Sequence, residues 1–330
     1  VTTKVIVLSH EHGLLPLAWR LVREGCDVSV SIQRTRFAGA WEGKFQPAFP
    51  PGGKDAIHRD LATVTAALDA GAYVLTDSYI WADRLPTGLR VYPTLPAPQL
   101  PPLQLLGWLH EGQVVGPVYV AVADLGMWPG GQGPQSHPAA VTLLRVPAEM
   151  GKLLLLGDTH PTHGLVRVGL QVDEEGKLYT VGSAHGWHFG FYHAWAAATG
   201  RITAALEGTE SSGLGTFAMA APVSIPPWPQ LCNVSPAKVV LEQLPQPTLA
   251  ATMWHDVRVV GEGKLETAGI DGLVGVVTAA GRHWELCRAA LADASGALLA
   301  RLPGGQFRVD CGGHVPQVMR ALEQLGLGVG

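Results

Sequence analysis

Residues 164–190 read GLVRVGLQVDEEGKLYTVGSAHGWHFG, and this stretch constrains the fold more than any other. Leu165, Val166, Val168, Leu170 and Val172 form one apolar run, and Leu178, Tyr179 and Val181 form a second. Asp173-Glu174-Glu175-Gly176 lies between them. Short runs of this kind, parted by polar turn residues, predict a β-hairpin. The polar segment that follows, Gly182 to His188, carries neither a carboxylate nor a lysine. A loop of this kind leaving a hairpin is a common place to present residues to a ligand.

The start of the chain predicts a second motif. Lys4 to Ser9 is a short, β-branched apolar run and reads as a buried strand. His10-Glu11-His12-Gly13 reads as a loop. Leu14 to Glu24 reads as a helix with Leu15, Leu17, Ala18, Leu21 and Val22 on one face, stopped by Gly25. Val28 to Ile32 completes a βαβ unit, whose first loop sits where open α/β sheets bind ligands. The loop lacks GxGxxG, so no dinucleotide fingerprint is present. A helix over 55–70 and a strand over 72–76 extend this into a doubly wound α/β domain at 1–90.

Six prolines between 86 and 102 mark 91–102 as a linker. The next domain spans 103–210. It reads as a short helix at Leu103–His110, strands at 114–122 and 139–146, and a ligand-covering loop over 126–134. The hairpin and a helix over His193–Glu207 follow. A Gly/Ser-rich segment, 208–215, precedes a mostly β domain at 211–330. Its strands are expected at 217–223, 239–241, 257–260 and 273–279, with a helix at 284–302 and a closing strand at 306–309.

Composition excludes some functions. The net charge is −4 and no Lys/Arg run is visible, so there is no direct nucleic-acid signature. No apolar run approaches the ~20 residues of a membrane span. The N-terminus enters a strand at once, unlike a signal peptide. Cys26, Cys232, Cys287 and Cys311 form no CxxC pair and read as free thiols of a reducing compartment. The expectation is a cytoplasmic protein, or a virion-associated one if viral. Charged residues are only 15%, and Trp41, Trp81, Trp128, Trp187 and Trp228 fall in expected loops. These tryptophans serve either local packing or an interface, and the second use implies an oligomer or another protein partner.

Taken in order, these pieces resemble phosphoribosylamine–glycine ligase, of the ATP-grasp superfamily. LSHEHGLLPLAWRL resembles that family's opening strand, its loop ending in Arg-Glu-His, and its first helix. GMWPGGQGP, 126–134, resembles the Gly-Pro-Asn-Thr-Gly-Gly-Met-Gly loop, and GLVRVGLQVDEEGKLYTV the penultimate ATP-grasp hairpin. AMAAPVSIPPWP, 218–229, resembles the strand and turn that open the C-terminal domain, and residues 253–281 its later motif series. The resemblance implies an α/β fold: an N-terminal doubly wound, pre-ATP-grasp-like domain, a reduced ATP-grasp-like α+β core, and a mostly β C-terminal domain. It implies that Ser9, His10, His12 and Gly13, with Arg34, bind a substrate's phosphoribosyl group, and that Gly130, Gly131 and Gly133 belong to a ligand loop.

The sequence also departs from that family. It is shorter between the linker and the Gly-rich loop, and it has no lysine between Lys54 and Lys152. Arg145 and Lys152 are the candidate replacements for phosphate contacts. The hairpin should exit through Glu-x-Asn, which holds Mg²⁺ against ATP, yet the chain has Val181-Gly182-Ser183-Ala184-His185. Catalytic residues are therefore not assigned. His160, His163 and His185 are weak candidates for metal ligands, set against ordinary loop histidines. Two functions follow. The first is a pseudoenzyme that has lost ATP-grasp catalysis and acts as a binding, assembly or structural (virion) component. The alternative is an active carboxylate–amine ligase that uses ATP and Mg²⁺ on a nucleotide-like or modified-base substrate.

Overall fold

The computed structural model describes residues 2–32, 71–77, 90–95, 99–126, 137–156, 162–175, 177–209, 213–229, 235–261 and 264–328. Its first elements are β1 (Lys4–Ser9), α1 (Leu15–Arg23), β2 (Asp27–Ile32), β3 (Tyr73–Thr76) and β4 (Val91–Pro93). Then come β5 (Leu103–His110), β6 (Gln113–Asp124), β7 (Ala140–Val146), a 3-10 segment at Ala148–Leu155, β8 (Gly164–Val172) and β9 (Leu178–His185). The chain continues through α2 (Phe191–Ala198), α3 (Ile202–Leu206), β10 (Phe217–Ser224), β11 (Val240–Leu241), α4 (Gln246–Ala251) and β12 (Thr252–Trp254). It ends in β13 (Val257–Gly261), β14 (Lys264–Thr267), β15 (Leu273–Gly281), α5 (Trp284–Leu299) and α6 (Val315–Gln324).

The chain divides into two compact units. One comprises 1–94, 223–276 and 294–307, and the other 95–222, 277–293 and 308–330. In the first unit, β1 to β4 form a parallel sheet in the order β2-β1-β3-β4. Parallel neighbours need a crossover, and α1 is that crossover between β1 and β2. Its buried face is Leu15, Leu17, Ala18 and Leu21, with Pro16 in the first turn, where its missing N–H costs nothing. Gly25, at φ +87°, turns the chain back into β2. β4 lies inside the segment expected to be a linker: Tyr92 is fully buried, and the strand pairs with β3. The same unit holds the antiparallel sheet β11-β14-β13.

In the second unit the strands follow the order β10-β7-β6-β5-β8-β9, with residues 277–281 of β15 beyond β10. Leu103–His110, expected as a helix, is the strand β5. It pairs with β6 on one side and β8 on the other, and Gln104 to Leu109 are all buried. The expected hairpin is β8–β9. The second strand runs further than its apolar pattern suggested, so Gly182 to His185 are strand rather than loop. The helix expected over 193–207 is two helices, α2 and α3, separated at Thr199-Gly200-Arg201. In the first unit, the expected closing strand at 306–309 is reduced to one bridge, Ser224 to Gln306.

Trp108 stacks on Trp195 at 4.8 Å between ring centres and donates its Nε1–H to the Ala205 carbonyl at 2.8 Å. Trp187 packs against both rings. Trp187 and Trp228, read from sequence as loop tryptophans, are buried and serve packing. Trp41, Trp81 and Trp128 lie outside the described residues. Among the described residues, no helix is long and apolar enough to cross a membrane.

Candidate functional site

In the first unit, polar groups converge where β1 and β3 end. The parallel register pairs Leu8 with Thr76, which sets Ser9 beside Asp77. Ser9 Oγ donates to Asp77 Oδ2 at 2.6 Å, and the His10 backbone N–H donates to Asp77 Oδ1 at 2.6 Å. Ser9 Oγ in turn accepts the Leu14 N–H at 3.3 Å, just ahead of α1. A Cβ on Gly13 would stand 2.7 Å from Asp77 Oδ2, so a larger residue there would push the carboxylate from its place. Burial pushes the Asp77 carboxyl above its ordinary range, opposed by the Ser9 and His10 hydrogen bonds. Two donors expected to meet a ligand's phosphate, Ser9 and the His10 amide, are thus turned onto the protein's own carboxylate.

His12, a candidate for substrate binding in the loop after β1, is buried. Its Nε2 lies 2.9 Å from Asp271 Oδ2, and its Nδ1 lies 3.4 Å from His255 Nδ1. With Nε2–H donated to the carboxylate, Nδ1 is left to accept from His255. Asp256, next in sequence, accepts the N–H groups of Ile270, Asp271 and Gly272 at 2.9, 3.1 and 3.0 Å through one oxygen. Its other oxygen is buried with no hydrogen-bond partner among the described residues. Burial first, and the Asp271 charge second, push the Asp256 carboxyl up. Asp256 thus holds the turn ahead of β15 through a nest of three amides. Asp271 was not singled out from sequence; it occurs in a plain Gly-Ile-Asp-Gly turn. Arg34 lies outside the described residues.

In the second unit, the β8–β9 hairpin carries a different set of groups. Arg167 pairs across the strands with Ala184, and Val166 with His185. The Arg167 guanidinium donates to Gln104 Oε1 at 2.7 Å and stacks over the Phe191 ring at 3.9 Å. Burial pulls it down to about 9, and its Nε has no hydrogen-bond partner among the described residues. His188 donates Nε2–H to the His185 carbonyl at 3.0 Å, and burial, with Arg167 adding, pulls it down to about 3. His193 Nδ1 accepts the Gly190 N–H at 3.2 Å, and burial drives it well below the ordinary imidazole value. His188, held neutral, therefore stands near a buried cation. Mg²⁺ requires hard oxygen ligands, usually carboxylates; from Val181 to His185 the one side-chain oxygen is the Ser183 hydroxyl, so the hairpin exit does not fit that ion.

The base of the expected ligand loop is tightly held within the same unit. Asp124 ends β6 and accepts the Gly312 N–H at 2.8 Å, with His314 Nδ1 at 3.0 Å. Arg308 binds Asp310 through two nitrogens and donates to the Leu125 and Gly126 carbonyls at 2.8 Å each. Gly130, Gly131 and Gly133 lie outside the described residues. Burial pushes the Cys311 thiol up to about 12 and the Cys287 thiol up to about 11, which makes both poor nucleophiles.

Arg145 is exposed on β7, opposite Tyr119. Lys152 is exposed on the 3-10 segment and lines a groove of about 250 Å³ with Gln113, Val118 and Leu155. Of the three histidines weighed as metal ligands, His160 lies outside the described residues. His185 lies by Ser183 and His188, while His163 meets His110 edge-on at 5.0 Å.

Phosphoribosylamine–glycine ligase from Thermotoga maritima is similar over 93% of this chain and 100% of its own, with a TM-score of 0.59 and 12% identity. The chain thus has an ATP-grasp fold of the phosphoribosylamine–glycine ligase type. L-amino acid ligase from Bacillus licheniformis follows at a TM-score of 0.45 and 11% identity, covering 90% of this chain and 98% of that one. N5-carboxyaminoimidazole ribonucleotide synthetase from Thermotoga maritima stands at 0.44 and 10%, covering 93% and 100%. No protein-family model and no curated protein matches the sequence.

Proposed function

We propose that this chain is a carboxylate–amine ligase of the ATP-grasp kind, acting on a nucleotide-like or modified-base substrate. The observation that carries this reading is the match of nearly the whole chain to the fold of phosphoribosylamine–glycine ligase. In such a reaction ATP converts a carboxylate to an acyl phosphate, an amine attacks the acyl carbon, and phosphate leaves. The chain's own residues modify the expectation. Asp77 sits among the donors at the end of β1, so a phosphate placed there would meet a carboxylate. A hydroxyl or ammonium group of the substrate suits that position better, since a carboxylate accepts from both. In the hairpin, Arg167 is the cation on offer to an anion, in place of oxygen-ligated Mg²⁺.

A second reading has its own observation. The hairpin exit carries no carboxylate, which favours a scaffold that binds a small molecule or a protein partner without phosphoryl transfer. One experiment separates the two. Unfolding temperature is measured with millimolar ATP, with and without Mg²⁺, and ADP release is followed on adding candidate carboxylates and amines. A ligand that binds the native state raises the unfolding temperature. An ATP-dependent rise together with ADP release supports the ligase. No rise in either condition overturns it and leaves the binding scaffold.

A further inference from the structure

We propose that His110, Glu111 and His163 form a binding site for a divalent transition-metal ion of the zinc class. The site is built where β5 turns into β6. Glu111 and Gly112 make the turn with φ of +51° and +75°. A two-residue hairpin turn with both φ positive favours Asn-Gly, and glutamate is an uncommon occupant of the first position. A strained residue of this kind is a reason to look for a function at that point.

Two backbone relationships bring His163 to the turn. β5 and β8 pair with Leu109 opposite Gly164, and the Gly112 N–H donates to the Thr162 carbonyl at 2.8 Å. One ligand atom from each of His110, Glu111 and His163 lies within 4.8 Å of the others. The imidazoles are held in place. His110 packs against Gly208, where a Cβ would overlap the ring, and His163 Nδ1 is hydrogen-bonded to Thr162 Oγ1 at 2.8 Å. A metal-binding histidine is commonly oriented by such a bond at its other nitrogen.

The donor chemistry selects the ion. His110 Nδ1 is buried with no hydrogen-bond partner among the described residues, an arrangement that ordinary packing does not favour. Two imidazoles and one carboxylate are the donor set of borderline-soft ions such as Zn²⁺ and Co²⁺, not of Mg²⁺ or Ca²⁺. Three protein ligands leave a coordination position for water.

The test uses the full chain after chelator treatment, titrated with Co²⁺ and followed by visible absorption, with Zn²⁺ as competitor. The expected result is one equivalent of Co²⁺, displaced by Zn²⁺ and unaffected by excess Mg²⁺. His163→Ala should weaken Co²⁺ binding at least tenfold. Glu111→Gly should also weaken it, yet raise the unfolding temperature of the metal-free protein by releasing the positive-φ strain. A misfolded variant cannot produce that combination. No stoichiometric binding, or binding that both substitutions leave unchanged, overturns the site.

Discussion

His12 and Asp271 meet at 2.9 Å across 259 positions of sequence, with only 5% and 11% of their side chains exposed. The contact ties the loop after β1 to the turn before β15 within one unit. Neither partner has bulk water to replace the other, so removing one leaves a nearly buried polar group unsatisfied. Asp271→Ala and His12→Ala should each cost about 1–3 kcal/mol of unfolding free energy, read from urea melts. The double substitution should cost less than the sum by about 1 kcal/mol or more, because both remove the same bond. Strict additivity would show that the two side chains do not act together.

Asp77 gives a stability signature in pH. Its carboxyl is raised above the ordinary 3.8 because burial disfavours the anion. Between that value and the folded-state titration point, the native protein holds more protons than the unfolded chain. Stability therefore falls as pH rises through the window, and acidification restores it. Asp77→Asn keeps an oxygen for the His10 N–H and removes the titration. Wild type should gain stability relative to this variant as pH drops from 7 towards about 4, measured by denaturant melts at each pH. The opposite trend would mean that the Ser9 and His10 donors outweigh burial and hold the Asp77 carboxylate as an anion.

The parts of this fold legible in the sequence are those whose burial is one-sided or whose breaks carry a glycine. β1, α1 and β2 announced themselves through a short apolar run, a helical face and Gly25. β5 did not. Its neighbours cover both edges and its residues are buried on both faces, so LQLLGWLH loses the alternation that marks a half-buried strand. The same spacing fits a helix, and only pairing with β6 and β8 decides. In the 193–207 segment, Gly200 was the available sign of a break. The site was legible in part. The loop after β1 is a place where such sheets bind ligands, but the burial of His12 depends on His255 and Asp271, far along the chain. No local pattern encodes those contacts. The strained Glu111-Gly112 turn is likewise invisible to a reading that takes β5 for a helix.

Arg167 supplies the sharpest test of what the hairpin does. It is buried, held by Gln104 and Phe191, and its Nε is unpartnered among the described residues. Taking a guanidinium out of water costs several kcal/mol, and a neutral amide with a ring face returns only part of that. A chain under no demand for this cation would be as stable with methionine of similar length. Arg167→Met should therefore unfold within about 1–2 kcal/mol of wild type in the absence of ligand. If the guanidinium offers its charge to a nucleotide, the same variant should lose the ATP-dependent rise in unfolding temperature. Both readouts come from one set of thermal melts. A variant destabilised by more than about 3 kcal/mol would identify Arg167 as a structural residue. A variant that keeps the full ATP shift would remove it from the nucleotide site.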